Sequence, residues 1–273
     1  MVIYPAGGIS LQLADMSTID CSPYNVHNIN TAIDVVVTAT SIILACSGET
    51  YRAEDTALRI GKAFGIEKTE ILAFPTGFMV SFILEDGRII TRSIRVSERS
   101  LRLSRINEVN SISRAIVDKK LTAMQALEML KELQSRQDEK PFISCISCAL
   151  CASAFAVMFG GGLKEFLISF IAGFSMQTFI CFLHHVHTPS LIISIFSPAV
   201  SATVALTLIR IFGGDQVSII AGAIMPLLPG VAMTNAMRDT MRGDLVSGIA
   251  RGAEAFFNAV LIAIGVSIVL AIF

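Results

Sequence analysis

The clearest pattern in the chain is a set of five long apolar runs in its second half. Each run approaches the ~20 residues that an α-helix needs to cross the hydrocarbon core of a bilayer. The linkers between the runs are short, which favours a compact bundle of antiparallel neighbours. Gly, Ala and Ser are frequent in the runs and allow close helix contact in lipid. The pattern predicts transmembrane helices at 142–159, 166–183, 190–209, 216–235 and 253–273.

The first half mixes helical and strand-like patterns. Apolar residues with a helical period predict helices at 28–46, 51–64, 104–119 and 123–136. Between the second and third helices, strand-like runs span residues 70–96 and contain Asp86-Gly87, a dipeptide typical of hairpin turns. The sequence therefore predicts an α+β domain that precedes the membrane helices.

The helix at 123–136 has a clear start signal. Thr122 is a predicted N-cap and Gln125 follows three residues later, which is the spacing of a capping box. We expect this helix to bury one side, formed by Met124, Leu127, Leu130 and Leu133. The predicted organisation is a flexible leader (1–27), a cytoplasmic α+β domain (28–140) and an all-α membrane domain of five transmembrane helices (141–273).

Charge is distributed unevenly and predicts the orientation in the membrane. Of the 43 charged residues, 33 lie in positions 1–140, and the net charge of −1 gives no indication of nucleic-acid binding. The linker 236–252 carries Arg238, Arg242 and Arg251, so the positive-inside rule places it in the cytoplasm. Counting spans then places residues 1–140 in the cytoplasm and the C-terminus outside. We expect a multi-pass protein of the inner (cytoplasmic) membrane.

Two prolines interrupt the predicted fourth span. Pro226 cannot donate a hydrogen bond to the Gly222 carbonyl, and Pro229 cannot donate to that of Met225. An unpaired backbone group in hydrocarbon costs several kcal/mol, so such breaks persist only inside protein or beside water. A half-helix that restarts at Pro229-Gly230 would direct its positive dipole end towards a substrate carboxylate. The alternative is a packed proline kink with a structural role alone.

Two polar motifs in the first half are further candidates. Pro75-Thr76-Gly77 separates two strand-like runs, where it is either a plain turn or a grip for a polar ligand. Glu49, Arg52 and Glu54 surround a predicted helix start. They form either a solvated first turn, favoured by the helix dipole, or a charged lining at the membrane mouth.

Glu254 begins the last span, one helical turn before Asn258. A carboxylate in a membrane helix is a candidate proton carrier, although near the membrane edge it can also extend to the interface. No metal or cofactor is expected, because Cys145, Cys148 and Cys151 lack the fourth cysteine of an iron–sulfur motif. We find no hydrolase, P-loop or dinucleotide motif, so we expect no catalytic residue and no enzyme activity.

Four ordered stretches resemble the threonine/serine exporter family, and together they extend over about residues 28–273. They are "SGETYRAEDTALRIGKAFGI" (47–66), "FPTGFMVSF" (74–82), "RINEVNSISRAIVDKKLTAMQALEML" (105–130) and "GAIMPLLPGVAMTNAMRDTMRGDLVSGIARGAEAF" (222–256). Full-length members have about ten spans, whereas this chain has five predicted spans. It therefore resembles the larger, N-terminal component of the split form, in which a second small membrane protein supplies the other half.

The resemblance implies export of small polar metabolites driven by the proton motive force, with threonine/serine and succinate as open alternatives. It also implies assembly with the second subunit, with further copies of the chain, or with both. The substrate-binding or transport residues that it favours are Glu49, Arg52, Glu54, Pro75, Thr76, Gly77, Pro226, Pro229, Gly230, Asn235, Arg238, Asp239 and Asp244.

In this hypothesis, substrate passes the Thr76 turn and the Arg238-Asp239 segment, and its carboxylate pauses at Pro229-Gly230. Glu254 or Asp239 carries the coupled proton. Two alternatives remain open at the level of sequence: a membrane-tethered hydrolase that acts through the α+β domain, and a regulatory subunit of a transporter. Members of the family have been likened to hydrolases in this domain, but no nucleophile–base pair is evident here.

Overall fold

The computed structural model describes residues 26–97, 99–136, 141–186 and 188–273, with side chains from residue 29 onward. The predicted leader thus lies outside the described residues, except for positions 26 and 27. The chain divides into two compact units. An α+β unit takes in the described residues before position 138 together with Asn235–Arg251, and a helical unit takes in the described residues of 138–234 together with Gly252–Phe273.

The predicted elements of the first half are confirmed, with ends shifted by a few residues. In chain order they are α1 (Val26–Ala45), α2 (Thr50–Ala63), β1 (Lys68–Phe74), β2 (Gly77–Ile83), β3 (Ile89–Arg95), α3 (Leu103–Val117) and α4 (Ala123–Ser135).

The three strands form one antiparallel sheet in the order β1-β2-β3. Pro75 and Thr76 form a two-residue connection, because Phe74 pairs directly with Gly77. The Asp86-Gly87 turn joins β2 and β3 as predicted, and Gly87 has a φ of +80°, which suits glycine. Along β2, Phe78, Val80 and Phe82 alternate into the core of the unit.

Helix α1 is the centre of the α+β unit. Between Thr31 and Cys46 every side chain is buried except that of Asp34. A helix that is apolar on nearly all sides belongs in a core or a membrane. Here the apolar stretch Ile29–Ala45 is shorter than a membrane span, and its residues pack in one cluster with α2, the sheet, α3 and α4.

The capping box of α4 is confirmed, since the Gln125 backbone N–H donates to Thr122 Oγ1 and the Thr122 N–H donates to Gln125 Oε1. The prediction that Met124 shares the buried side is wrong, because its side chain is 55% exposed. Ala123 takes the buried position instead, one residue earlier in the turn, together with Leu127, Leu130 and Leu133.

The described residues from Pro141 onward form α5 (Pro141–Met158), α6 (Leu163–His185), α7 (Ser190–Phe212), α8 (Gln216–Ile224), a 3₁₀ turn (Met225–Leu227), α9 (Gly230–Met241) and α10 (Leu245–Ile272). Four of them, α5, α6, α7 and α10, are long and apolar enough to cross a membrane. The bent pair α8–α9 makes a fifth crossing if it is counted as one span. Helix α10 begins eight residues before the predicted run and includes the mixed-polarity residues 245–252.

Small residues set the packing of the helical unit. A Cβ atom added to Gly222 on α8 would lie 2.5 Å from the Ala156 backbone nitrogen and 2.7 Å from its Cα. A Cβ on Gly173 of α6 would lie 2.7 Å from Ala152 Cβ. The helices therefore meet almost backbone to backbone, as the frequency of Gly and Ala in the runs indicates.

Candidate functional site

A group of charged and polar contacts lies within the α+β unit. It joins the connection between α1 and α2 to the segment Asn235–Arg251. We call it the ion-pair cluster, and it consists of Glu49, Thr50, Arg238, Asp239, Asp244 and Arg251.

A short glycine connection between α1 and α2 prepares one side of the cluster. Ser47 has a φ of +57°, in the left-handed region, and Gly48 N–H donates to the Ile43 carbonyl at 2.9 Å. A Cβ on Gly48 would lie 2.6 Å from Ile43 Cγ2 and 2.7 Å from the Ile43 oxygen, so the position requires glycine. This turn leaves the carbonyls of Ser47 and Gly48 available to side chains of the segment 235–251.

Asp239 and Arg251 form a buried ion pair. Arg251 Nε lies 3.1 Å from Asp239 Oδ2, and the two side chains are 6% and 1% exposed, respectively. The Arg251 guanidinium also donates to the Gly48 carbonyl oxygen at 2.6 Å. Burial of two charges is costly unless they are paired and hydrogen-bonded, and here one arginine meets both a carboxylate and a carbonyl.

Glu49 is the second buried carboxylate. Its residue caps α2 in an extended conformation, yet its side chain makes no capping hydrogen bond. It pairs with Arg238 instead, and its other oxygen lies 3.6 Å from Arg52 Nε. Of the two alternatives for Glu49, a solvated first turn does not describe its side chain, which is 7% exposed and paired with Arg238.

Three further contacts join the same segments. Thr50 Oγ1 donates to Asp244 Oδ2 at 2.8 Å, and Asn235 Nδ2 donates to the Ser47 carbonyl at 3.2 Å. The guanidinium of Arg242 lies 3.5 Å from the centre of the Tyr51 ring, a cation–π contact. The segment is thereby held to the start of α2 at several independent points.

Glu54 connects α2 to the edge of the sheet. Its Oε1 accepts a hydrogen bond of 2.9 Å from the Ala73 backbone N–H, which β1, as an edge strand, does not use in the ladder. Burial is the main cause that raises the pKa of Glu54 above its usual value of 4.5. The Ala73 hydrogen bond lowers this pKa, whereas the carboxylates of Asp244 and Asp239 raise it further.

The structure brings Glu49, Arg52, Glu54, Asn235, Arg238, Asp239 and Asp244 into this network, which sequence alone did not connect. The sequence does not single out Thr50 or Tyr51, and in it Arg242 and Arg251 indicate only the orientation in the membrane. Helical spacing could have indicated that Arg251 is buried. One face of α10 is buried and carries Ser247, Gly248, Arg251 and Ala255.

The Pro75-Thr76-Gly77 turn has a structural explanation. Pro75 is buried, the Thr76 carbonyl accepts a hydrogen bond from Val96 N–H at 2.8 Å, and a Cβ on Gly77 would collide with the Ile94 carbonyl. The Thr76 side chain is exposed. Among the described residues, no hydrogen bond or ion pair links this turn to the ion-pair cluster.

Pro226, Pro229 and Gly230 lie in the helical unit, where the apolar helix is interrupted. The axes of the two parts differ by 58°. Met225 N–H takes the Gly222 carbonyl that Pro226 cannot reach, and Leu228 N–H takes the Met225 carbonyl that Pro229 cannot reach, at 3.2 Å. Tighter i→i−3 bonds therefore satisfy the carbonyls that the prolines leave free, Leu228 is extended, and Gly230 begins α9.

Glu254 lies on α10 in the helical unit and its side chain is exposed. One turn later, Asn258 Oδ1 accepts from Ser194 Oγ on α7 at 3.5 Å. Within the described ranges, no group of three or more His, Cys, Asp or Glu side chains converges as a metal site would require. The candidate functional features are thus a buried charge network in the α+β unit and an interrupted apolar helix in the helical unit.

Comparison with known proteins gives a consistent result. The family model described as "Putative threonine/serine exporter" (ThrE) matches residues 34–273. The chain is 22% identical over 226 residues to the "Probable succinate transporter subunit YjjP" of Klebsiella aerogenes, covering 82% of this chain and 87% of that protein. The protein of the same name from Escherichia coli is 21% identical over 232 residues, 84% of this chain and 90% of that protein.

A longer relative matches as well. The "Probable threonine/serine exporter" of Mycobacterium tuberculosis is 23% identical over 240 residues, which are 86% of this chain but only 45% of that protein. No solved structure matches the chain. The matched regions include both units, and thus both the ion-pair cluster and the interrupted helix.

Proposed function

The chain belongs to the threonine/serine exporter family, and from this premise we propose that it is the larger subunit of a two-chain secondary exporter for small polar metabolites. The length relations support this proposal. The chain corresponds to most of two proteins named as transporter subunits and to less than half of a longer protein named as an exporter. A second small membrane subunit would supply the remaining spans.

The observation that carries the proposal is the interrupted helix α8–α9. Irregular backbone at membrane depth is tolerated only where protein or water surrounds it, and transporters use such breaks to bind substrate near the middle of the bilayer. Helix α9 begins at Gly230, directly after the break. Gly230 N–H already donates to the Leu228 carbonyl at 2.8 Å, so the N–H groups of the next residues and the positive dipole end of α9 would face the carboxylate of a substrate.

The ion-pair cluster supplies the second part of the proposal. Arg238 and Asp239 lie on the part of α9 that belongs to the α+β unit. Their partners Glu49 and Arg251 belong to the same unit. We infer that the pairs Glu49–Arg238 and Asp239–Arg251 rearrange during the transport cycle.

A proton is the proposed coupling ion. Protonation of Asp239 would remove the charge that pairs with Arg251 and weaken that contact, which gives a direct link between proton binding and the cluster. Glu254 is the other candidate carrier, since it is a carboxylate on an apolar helix. We assign catalytic residues to neither unit and propose no cofactor.

The orientation remains part of the proposal. The distribution of Lys and Arg favours a cytoplasmic α+β unit, a C-terminus on the outer side and insertion in the inner membrane. Substrate would then reach the α+β unit from the cytoplasm before export. Threonine, serine and a dicarboxylate such as succinate are the substrates to test, because relatives carry names of both kinds.

The test is transport by the chain and its partner, reconstituted together in lipid vesicles. Labelled succinate, threonine and serine are supplied in turn, with and without an imposed pH gradient. We expect gradient-dependent movement of at least one of them, lost in Arg238→Ala and retained in Arg95→Ala, which changes an exposed arginine on β3. Full flux through the partner alone would contradict the proposal and favour a regulatory role for this chain.

A further inference from the structure

The α+β unit contains a polar groove outside the ion-pair cluster, with a volume of about 340 Å³. It lies between α2 and α3 and is lined by Arg52, Asp55 and Arg59 from one helix and by Asn107, Asn110 and Arg114 from the other. Its size is at the lower end of the range for small-molecule sites.

Helical spacing explains why these side chains converge. Residues 52, 55 and 59 lie about one and two turns apart on one side of α2, and residues 107, 110 and 114 do the same on α3. The opposite side of α3 carries Ile106, Val109, Ile112 and Ile116, which are buried in the core. Two polar stripes thus line a shared space, where neighbouring helices usually pack apolar side chains.

The groove carries excess positive charge. Three arginines face it with one carboxylate, that of Asp55, which already pairs with Arg59. Arg52 has only a long contact of 3.6 Å to Glu49. Among the described residues, the Arg114 guanidinium makes no hydrogen bond or ion pair. The net formal charge of the lining is +2, so a ligand with two negative charges would neutralise it.

We propose that this groove binds a small dianion, with guanidinium groups of both helices on its anionic oxygens and the asparagine amides as additional donors. Arginine suits this role because its planar donors match carboxylate and phosphate geometry. A zwitterionic amino acid has no net charge and is expected to bind more weakly. The dianion can be a dicarboxylate or a phosphate, and the experiment distinguishes these two sources.

The groove also has a consequence for the ion-pair cluster, and this part rests on the proposed transport function. Arg52 contacts Glu49 of the cluster, and Tyr51, which lines the groove, holds the Arg242 guanidinium on its ring. A bound dianion would compete with Glu49 for Arg52. Occupation of the groove would therefore weaken the contact between Arg52 and the Glu49 carboxylate, which leaves Arg238 as the remaining cation of Glu49.

Binding is tested on the purified full chain in detergent or lipid nanodiscs by calorimetry at low salt and about pH 8, where both probe anions are dianionic. Succinate, inorganic phosphate and L-threonine are titrated separately. We expect one or both dianions to bind, threonine to bind more weakly, and added salt to lower the affinity. Arg114→Gln should weaken dianion binding about tenfold, the effect of one lost charged hydrogen bond.

Arg95→Gln is the matched control, because Arg95 is exposed on β3 and does not line the groove. Arg52→Gln provides a second variant from the other helix. Absence of binding by both dianions, equal affinity for threonine, or unchanged affinity in both groove variants would each overturn the proposal. The assay needs neither the partner nor a pH gradient, so its failure is distinct from a failure of transport.

Discussion

Arg251 Nε lies 3.1 Å from Asp239 Oδ2 in the interior of the α+β unit, and the same guanidinium binds the Gly48 carbonyl, 203 residues away in sequence. One arginine thus ties α10, α9 and the α1–α2 connection together. A buried charge that loses its partner is more costly than the intact pair is stabilising. A single substitution in this pair should therefore destabilise this unit strongly.

Arg251→Met is expected to destabilise the α+β unit by about 3–5 kcal/mol, because it leaves the Asp239 carboxylate buried without its cation. The measurement is the thermal unfolding temperature of the purified chain. Arg59→Met is the control, since Arg59 and its partner Asp55 are both about half exposed and exposed pairs contribute little. Equal effects of the two substitutions would contradict the assignment.

The double variant Arg251→Met/Asp239→Leu separates charge burial from packing. If the cost of Arg251→Met comes from an unpaired carboxylate, removal of that carboxylate should restore part of the stability, and the effects will not add. Additive losses would instead mean that each side chain acts through its own packing. Transport should stay impaired in the double variant, because the proposed switching pair is absent.

Loss of the hydrogen bond between Thr50 and Asp244 should destabilise the protein less than loss of the buried ion pair. Thr50→Val keeps the shape of the side chain but removes the donor to Asp244 Oδ2, at a cost of about 1.5–3 kcal/mol for a charged hydrogen bond. Thr50→Ser keeps the hydroxyl, so its unfolding temperature should be close to that of the original protein. The thermal unfolding temperatures of both variants measure the difference, and a Val variant as stable as the Ser variant would rule out this role.

The parts of the fold that the sequence predicts correctly are those fixed by local chemistry. The capping box at Thr122, the turn at Asp86-Gly87 and the helix break at Pro226 and Pro229 follow from backbone donors and allowed φ angles within a few residues. Such features depend little on the rest of the chain, so their prediction needs no knowledge of the tertiary structure.

The parts that the sequence does not predict depend on contacts between distant segments. Arg251 looks like a topology marker in a linker, because only the fold brings Gly48 and Asp239 to it. Sequence leaves Glu49 either in a solvated helix start or in a charged lining, because its partner Arg238 is far away in sequence. The start of α10 differs from the predicted run for a related reason. Its first turns belong to the α+β unit and need no continuous apolar character.

Glu54 gives a prediction about pH. A carboxyl group whose pKa is raised by folding holds its proton more tightly in the folded state, so its contribution to stability falls as pH rises from about 4.5 through the raised pKa. Glu54→Gln keeps an acceptor for Ala73 N–H and removes the charge. The variant should unfold at a higher temperature than the original protein above this window, and the difference should shrink as pH falls towards 4.5.

Unfolding temperatures across that pH series test the prediction. Glu128→Gln, which changes an exposed glutamate on α4, serves as the control and should show no comparable trend. A difference between Glu54→Gln and the original protein that is independent of pH, or that grows on acidification, would show that burial and the nearby Asp239 and Asp244 do not govern this group.

Gly222 tests the packing of the helical unit. Gly222→Ala would place a methyl group 2.5 Å from the Ala156 backbone nitrogen, so α5 and α8 would have to separate. Overpacking of this kind costs about 1–3 kcal/mol. We expect a lower unfolding temperature in detergent, whereas Ala154→Val, which adds bulk on an exposed position of α5, should change it little. A fully stable Gly222→Ala would mean that the two helices do not meet at this residue.

Pro229 tests whether the interrupted helix is needed for transport. Pro229→Ala restores a backbone N–H that can donate to the Met225 carbonyl, and it removes a residue that disfavours a helix interior by about 3 kcal/mol. The balance then shifts towards a continuous helix through α8 and α9. The N–H groups of the first turn of α9 other than that of Gly230, which already donates to the Leu228 carbonyl, then become paired within the helix. We expect flux in vesicles to fall by at least about tenfold, whereas Pro198→Ala, which changes a proline within the uninterrupted α7, should retain most of it. Undiminished flux through a straightened α8–α9 helix would mean that the break is a packed kink, and the binding site would have to be sought elsewhere in the helical unit.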